Sequence, residues 1–293
     1  MTTNQSPKIW VDGVMGERLS PLDRGFAYGD GLFETCRIAD GCIPLWSWHL
    51  ARLCRDLARL NIDVSRAELE RLVRLALADS NGAGIVKIVV TRAASGRGYQ
   101  AAGNSAATVV VMLYPHSRNQ PKHYRIRICN SHVSQNSTIA GMKHLCRLEN
   151  VLARSEWSDE TIHEGLMLDR DGYVIEGTAH NVFVITNGEL VTPTLNESGV
   201  RGVMRQLICE QLAPALDISV REAKLQVDDV MSASEVFFCN SNVGVVAVTE
   251  LLSPAGATIA QYSAAAVAEK LQRKLTSYVE QQSRAGEMRG DNG

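Results

Sequence analysis

Three of the four Asp-Gly pairs, Asp12-Gly13, Asp40-Gly41 and Asp171-Gly172, each lie between β-rich apolar runs. A tight two-residue turn needs left-handed backbone, which Gly adopts freely and Asp or Asn tolerates, so such pairs predict hairpins. The first joins Ile9-Trp10-Val11 to Val14-Met15. The second joins the run from Phe33 to Ile38 to the run from Ile43 to Leu45. Around the third, Met167-Leu168, Tyr173 to Ile175 and Asn181 to Ile185 read as three short strands, broken by Asp171-Gly172 and by Gly177 to His180. Glu176 falls where a strand ends, and a carboxylate buried there needs a cationic partner.

Helical spacing interrupts this pattern in the first third of the chain. Trp46, Leu50, Leu53, Leu57 and Leu60 form one apolar stripe, and Ser65-Arg66-Ala67-Glu68 is a capping box opening a helix to about Ala78. Ile85 to Thr91 and Ala106 to Leu113 read as strands around a glycine-rich loop. Runs of strands followed by runs of helices define a small α+β domain over 1–114. Pro115 to Pro121, polar with a proline at each end, marks an interdomain linker, placed at 115–122. A larger α/β domain over 123–280 follows, with helices starting near Lys143, Gly202, Asp228 and Ser263. The polar stretch 281–293 lacks an apolar face and is expected to be disordered.

A chain of 293 residues can build two cores. Its net charge of −2 offers no basic field for nucleic acid or a membrane surface, so small-molecule chemistry is expected. Cysteines at 36, 42, 54, 129, 146, 209 and 239 are odd in number and never form Cys-x-x-Cys, which argues against a disulfide scaffold and a zinc site. The histidines show no metal spacing, and His49 at a helix start reads as structural. Met1 to Pro7 is polar and the longest apolar run, Ala106 to Tyr114, is far below membrane-spanning length. A cytoplasmic soluble protein is expected.

Three segments carry chemistry. Lys143 lies in Gly141-Met142-Lys143-His144-Leu145, Glu176 opens Glu176-Gly177-Thr178-Ala179-His180-Asn181-Val182-Phe183, and Gly199-Val200-Arg201-Gly202-Val203-Met204-Arg205 is glycine-rich before a helix. Singly, each has an ordinary explanation: a solvated Lys, a turn-flanking Glu, a loop. Together, an amine, a carboxylate and an anion cup are the groups needed to run pyridoxal 5'-phosphate as an electron sink. Lys87, Lys122, Lys224, Lys270 and Lys274 read as surface charges on strand edges, the linker or a C-terminal helix.

From Trp10 to about Thr249 the chain resembles the fold-type IV pyridoxal phosphate enzymes. These include branched-chain and D-amino-acid aminotransferases and the 4-amino-4-deoxychorismate lyases. The resemblance rests on the block from Asp23 to Thr35, on His49-Leu50-Ala51-Arg52-Leu53, on the Lys143 segment and on Glu176 to Phe183. It implies a small α+β domain, a larger α/β domain with a barrel-like sheet, and a homodimer with the cofactor between the lobes. It implies that Lys143 holds the cofactor aldehyde and shuttles a proton, and that Glu176 faces the pyridine nitrogen. Arg52, the N–H groups of Val203 and Met204, and Ser241 would hold the phosphate, with Asn181 and Thr178 orienting neighbours. Thr35 is a candidate for assisting proton transfer. Arg97 and Tyr99, with Phe33, are candidates for contacting substrate, Arg97 by a fork suited to a carboxylate.

Lys143, Glu176 and Arg52 fit every enzyme of this type, so other residues must choose among them. Gly96-Arg97-Gly98-Tyr99, Lys143-His144-Leu145-x-Arg147-Leu148-Glu149 and Gly202-Val203-Met204-Arg205 are most similar to the lyases. Branched-chain enzymes usually carry Tyr five positions after the Lys, where this chain has Leu148. The resemblance therefore implies an elimination giving 4-aminobenzoate and pyruvate for folate synthesis. A transaminase acting on D-amino acids or amines, and a catalytically silent binding protein on the same scaffold, are the alternatives.

Overall fold

A computed structural model of the chain describes residues 6–101, 106–115, 121–286 and 288–290. The chain divides into two compact units. One comprises Met1–Asn119, Lys143–Cys146 and Tyr278–Gly293, and the other Gln120–Met142 and Arg147–Ser277. The linker expected at 115–122 falls largely on 116–120, which lie outside the described residues. Two differences follow. Lys143 belongs to the first unit, not to the larger domain, and so does the C-terminal segment.

The first unit is built on a five-stranded antiparallel sheet in the order β2-β1-β5-β4-β3. Its strands are β1 (Lys8–Val11), β2 (Val14–Met15), β3 (Gly31–Ile38), β4 (Gly84–Arg92) and β5 (Ala107–Pro115). Asp12 and Gly13 take φ of 49° and 84°, as the first Asp-Gly turn requires. The second expected hairpin forms only in part. Asp40 and Gly41 turn with positive φ and Ala39 bridges Cys42, but 43–45 is not a strand. Its Ile43 N–H donates to the carbonyl of Met288, and β3 pairs with β4 instead.

Helix α1 (Arg24–Tyr28) precedes β3, and helices α2 (Trp46–Leu60) and α3 (Arg66–Ala78) follow it. Trp46, Leu50, Leu53 and Leu57 are buried along one stripe of α2, and Ser65 Oγ accepts from the Glu68 N–H to cap α3. Burial alternates along β3 and β4. Leu32, Glu34, Cys36, Ile38, Val86, Ile88 and Val90 are buried, while Phe33, Thr35, Lys87 and Val89 are half-buried on the opposite face.

The second unit holds a mixed sheet in the order β11-β10-β9-β12-β13-β6-β7-β8, with β14 (Thr258–Gln261) added to β13. Its members are β6 (His123–Val133), β7 (Glu164–Asp169), β8 (Val174–Gly177), β9 (Asn181–Thr186), β10 (Glu189–Pro193), β11 (Val220–Ala223), β12 (Glu235–Asn240) and β13 (Gly244–Leu252). The sheet curls until its two ends meet: Val174 at the start of β8 donates to the carbonyl of Leu225, just beyond β11, at 2.8 Å. Val174, Val182, Val184, Val236, Phe238, Val246 and Leu251 fill its core. This is the expected barrel-like architecture.

Helix α4 (Leu148–Arg154) starts five residues later than the sequence implies, since Lys143–Arg147 is not helical and His144 instead bridges Leu32. Helix α5 (Val203–Leu207) runs into a π-turn at Ile208–Leu212, α6 spans Val227–Met231, and α7 spans Ala266–Ala285. The expected disorder over 281–293 is overturned for the described residues there. Helix α7 continues to Ala285, Met288 is buried, and Arg289 donates to the carbonyl of Ser283 at 2.8 Å. Met288 supplies the apolar anchor, isolated among polar neighbours, that periodicity does not register. Residues 287 and 291–293 lie outside the described residues. Among those described, no helix is long and apolar enough to cross a membrane and no cluster of three potential metal ligands occurs.

Candidate active site

In the first unit, the Lys143 segment seals the β3 edge of the sheet. Lys143 C=O accepts from the Phe33 N–H at 3.0 Å, Leu145 N–H donates to Gly31 at 3.0 Å, and Leu32 bridges His144. This pairing fixes the Lys143 backbone beside a rigid strand. Its ammonium reaches the face of the Phe33 ring, 4.3 Å from the centroid. Lys87, read from sequence as a surface charge, sits on the inner strand β4 with its ammonium 5.4 Å from the same centroid. Thr35 is the cross-strand partner of Lys87 and shares that face.

Behind β3, Glu34 is fully buried and draws two cationic or polar groups from α2. Arg52 donates to it through Nε (2.7 Å) and a terminal nitrogen (2.5 Å), and His49 Nδ1 lies 2.7 Å from its Oε2. Burial alone would raise the Glu34 carboxyl, but Arg52 and His49 outweigh it and hold the pKa at about 2. Burial dominates at His49 and lowers its pKa, so its Nδ1 carries the proton given to Glu34. Cys36 is no competing nucleophile, since burial and the Glu34 charge push its thiol well above the ordinary range.

Arg24, which sequence reasoning did not single out, organises the glycine-rich loop. Its Nε donates to Asp30, and its terminal nitrogens reach the carbonyls of Gly98 (2.9 Å) and Tyr99 (3.1 Å). Its guanidinium also lies over the Tyr28 ring, which packs at 5.5 Å from that of Tyr99. Arg97 and Tyr99 are themselves exposed. Arg24's place in Asp23-Arg24-Gly25, within the block already tied to the family, was the available signal.

In the second unit, Glu176 is buried near the end of β8 and Asn181 is buried at the start of β9. The two hold opposite ends of one residue. Val200 N–H donates to Glu176 Oε2 at 2.8 Å, and Asn181 Nδ2 donates to the Val200 carbonyl at 2.9 Å. Gly141, two residues before Lys143 in the chain, bridges Val200 through Gly141 N–H to Gly199 (2.9 Å) and Arg201 N–H to Gly141 (3.0 Å). Gly202 then caps α5, and a Cβ there would stand 2.0 Å from Asn181 Oδ1, so only glycine fits. The first turn of α5 has no acidic residue and no side-chain cap, which leaves the Val203 and Met204 N–H groups suited to an anion.

Thr178 turns its hydroxyl to Glu164, a residue the sequence reading passed over. Ser241 lies in a turn where Asn240 Oδ1 accepts from Asn242 and Val243, both at 2.9 Å, while Asn240 Nδ2 donates to Ala179 at 3.2 Å. The turns carrying Ser241 and Thr178 are thus tied together. All seven cysteines are free thiols.

This arrangement has close parallels. The family model for amino-transferase class IV matches residues 31–251. An aminodeoxychorismate lyase from Vibrio harveyi is 32% identical over 84% of this chain and 92% of its own length. The crystal structure of 4-amino-4-deoxychorismate lyase from Pseudomonas aeruginosa superposes with a TM-score of 0.85 at 36% identity, covering 92% of this chain and 98% of that one. A D-alanine aminotransferase from Bacillus licheniformis is 26% identical over 83% of this chain and 88% of its own length. The match spans the Lys143 segment, the Glu176 turn and the start of α5 alike, and the chain belongs to the aminotransferase class IV family.

Proposed function

We propose that this chain is a pyridoxal-phosphate-dependent lyase converting 4-amino-4-deoxychorismate into 4-aminobenzoate and pyruvate. The observation that carries the reading is the clasp of Glu176 and Asn181 on Val200, which sets a buried carboxylate into the loop opening an uncapped helix. The residues fit the cofactor: the helix start suits a phosphate, the Gly202 position excludes any side chain, and the buried acid suits a protonated ring nitrogen. The likeness to lyases of known structure and sequence supports the choice of reaction.

When bound, pyridoxal phosphate supplies a conjugated ring that takes up the electron pair released at the carbon bearing the substrate nitrogen. The chain's residues then divide the work. Lys143 holds the aldehyde before substrate arrives and afterwards takes the proton from the amine-bearing ring carbon, with Thr35 assisting that transfer. Glu176 keeps the ring nitrogen protonated. Arg52, the N–H groups of Val203 and Met204, and Ser241 hold the phosphate, while Asn181 keeps Val200 in place. Phe33 backs the Lys143 ammonium, and Arg97 with Tyr99 receives a substrate carboxylate. The C–O bond to the enol-pyruvyl group breaks with its electron pair leaving on oxygen, the carbocycle becomes aromatic, and protonation of the departing methylene gives pyruvate. The amino group leaves with the product, so no keto acid is consumed.

Incubation of purified protein with 4-amino-4-deoxychorismate should release fluorescent 4-aminobenzoate and an equal amount of pyruvate without added keto acid. Lys143→Ala should abolish release and the visible cofactor band while leaving the circular dichroism spectrum intact. The D-alanine aminotransferase relative favours a second reading, transamination of D-amino acids. That reading requires keto-acid dependence and accumulation of the amine form of the cofactor. We also infer a cytoplasmic homodimer. Leu148, Val151 and Leu152 share one face of α4 and are each more than half exposed, which supports a protein contact there. Sedimentation giving a 32 kDa particle would oppose it.

A further inference from the structure

Glu164 is a buried carboxylate that the chemistry above leaves without a task. It opens β7, beside the turn that follows Glu176. Its Oε1 accepts from the N–H of Gly165 (2.8 Å), the N–H of Thr178 (3.0 Å) and the Thr178 hydroxyl. Its Oε2 accepts from the N–H of Ala179 (3.2 Å) and pairs with His180 Nδ1. The His180 ring stands edge-on to Tyr124, whose hydroxyl is 3.4 Å from its Nε2, and to Phe238. An isolated charge in such a place is costly, and these five donors are what permit it.

Four of the five donors, all but the Gly165 N–H, are on one short turn, and Gly177 lies between them and Glu176. A Cβ on Gly177 would stand 3.1 Å from both Cγ and Cδ of Glu164 and 2.7 Å from the Phe238 ring, so the backbone next to Glu176 rests directly on the Glu164 side chain. The carbonyls of the same turn are held separately: Asn150 Nδ2 donates to Thr178 (3.1 Å) and Asn240 Nδ2 to Ala179 (3.2 Å). With N–H groups drawn to Glu164 and carbonyls held by two asparagines, the turn has one orientation available. Glu176 leaves one end of it and Asn181 the other, and both end on Val200.

We propose that Glu164, paired with His180, is the positioning residue for Glu176, fixing the 177–180 turn so that the acid keeps its register on Val200 and its aim at a cationic ring nitrogen. This rests on the role given to Glu176 above. Glu164→Gln is close to isosteric: its carbonyl oxygen still serves Gly165 and Thr178, His180 can change tautomer to accept from the new amide, and only the longer bond from the Ala179 N–H is lost, so the fold should survive.

The test is a double-mutant cycle of Glu164→Gln and Glu176→Gln, read by turnover, by the pyridoxal phosphate dissociation constant of the apoprotein and by pH titration of the cofactor absorption band. Glu164→Gln alone should lower turnover by about 10- to 100-fold, as a small misplacement of a reacting group does, and should shift the band titration. In the Glu176→Gln background it should change neither further. Multiplicative effects in the double variant would overturn the proposal, as would a lowered urea midpoint with turnover and band titration unchanged. If Glu176→Gln itself leaves turnover and band at wild-type values, the role of Glu176 has failed first. Should Glu164→Gln not fold, Thr178→Val removes one donor at constant shape and is read in the same cycle.

Discussion

Val200 N–H donates to Glu176 Oε2 at 2.8 Å, and this bond makes the acid part of the loop that leads into α5. Asn181 secures the same residue from its carbonyl side. Removing that amide in Asn181→Ala leaves a backbone carbonyl unpaired inside the second unit, at a cost of about 1–3 kcal/mol. Pyridoxal phosphate affinity should fall together with the urea midpoint. Gly202→Ala should act alike, because the added methyl can be housed only by displacing Asn181. Wild-type cofactor affinity in both variants would contradict the clasp.

Glu176→Gln separates charge from shape. The amide oxygen can still accept from Val200, so thermal stability should stay close to wild type. Without the negative charge, turnover should drop on the order of 100-fold, comparable to losing one preorganised electrostatic partner. Stopped-flow release of 4-aminobenzoate measures this directly, and turnover within a few-fold of wild type would exclude Glu176 as the ring-nitrogen partner.

How much of this was legible beforehand depended on whether the signal was local. The Asp12-Gly13 hairpin, the α2 stripe and the Ser65 cap follow from residues a few positions apart, and each appears as expected. The Lys143 segment was misread as helical because its pairing partner, the start of β3, lies more than a hundred residues earlier. Lys87 looked like a surface charge because no pattern marks a ring on the neighbouring strand as its neighbour. Glu164 was passed over for the same reason, since its donors other than the adjacent Gly165 lie beyond the intervening hairpin at 178, 179 and 180. Met288, one apolar residue in a polar tail, anchors a segment that composition alone assigns to disorder.

Arg24 provides a test of the glycine-rich loop that leaves Arg97 and Tyr99 untouched. Arg24→Lys keeps a positive charge near Asp30 but loses the fork that holds the carbonyls of Gly98 and Tyr99. Asp30 retains Arg92 as a partner at 2.9 Å, so the first unit should remain folded. If the loop receives a substrate carboxylate, KM should rise about tenfold with kcat changed little, the pattern of lost uniform binding. An equal fall in kcat with KM unchanged would place the loop's contribution in the chemical step instead.

The buried trio behind β3 contributes to the acid limit of the fold. Glu34 titrates at about 2 in the folded chain against an ordinary 4.5, so between these values the unfolded state binds the extra proton and stability rises with pH. His49 is also depressed, from an ordinary 6.5, and so adds a slope of the same sign below that value. Stability should therefore be greatest above about pH 6.5, decline gently below it, and fall steeply from about 4.5 toward 2 as Arg52 loses its partner. Thermal unfolding followed by circular dichroism from pH 2 to 8 reads both slopes. His49→Asn should reduce the upper slope, to which His163 also contributes, and keep the lower one. Glu34→Gln should make the lower slope shallower, the depressed Glu164 keeping part of it, and should be destabilised by about 3–5 kcal/mol at neutral pH, the cost of a buried guanidinium left without its carboxylate. A wild-type protein equally stable at pH 3 and pH 7 would show that Glu34 is not the ionised centre of this cluster.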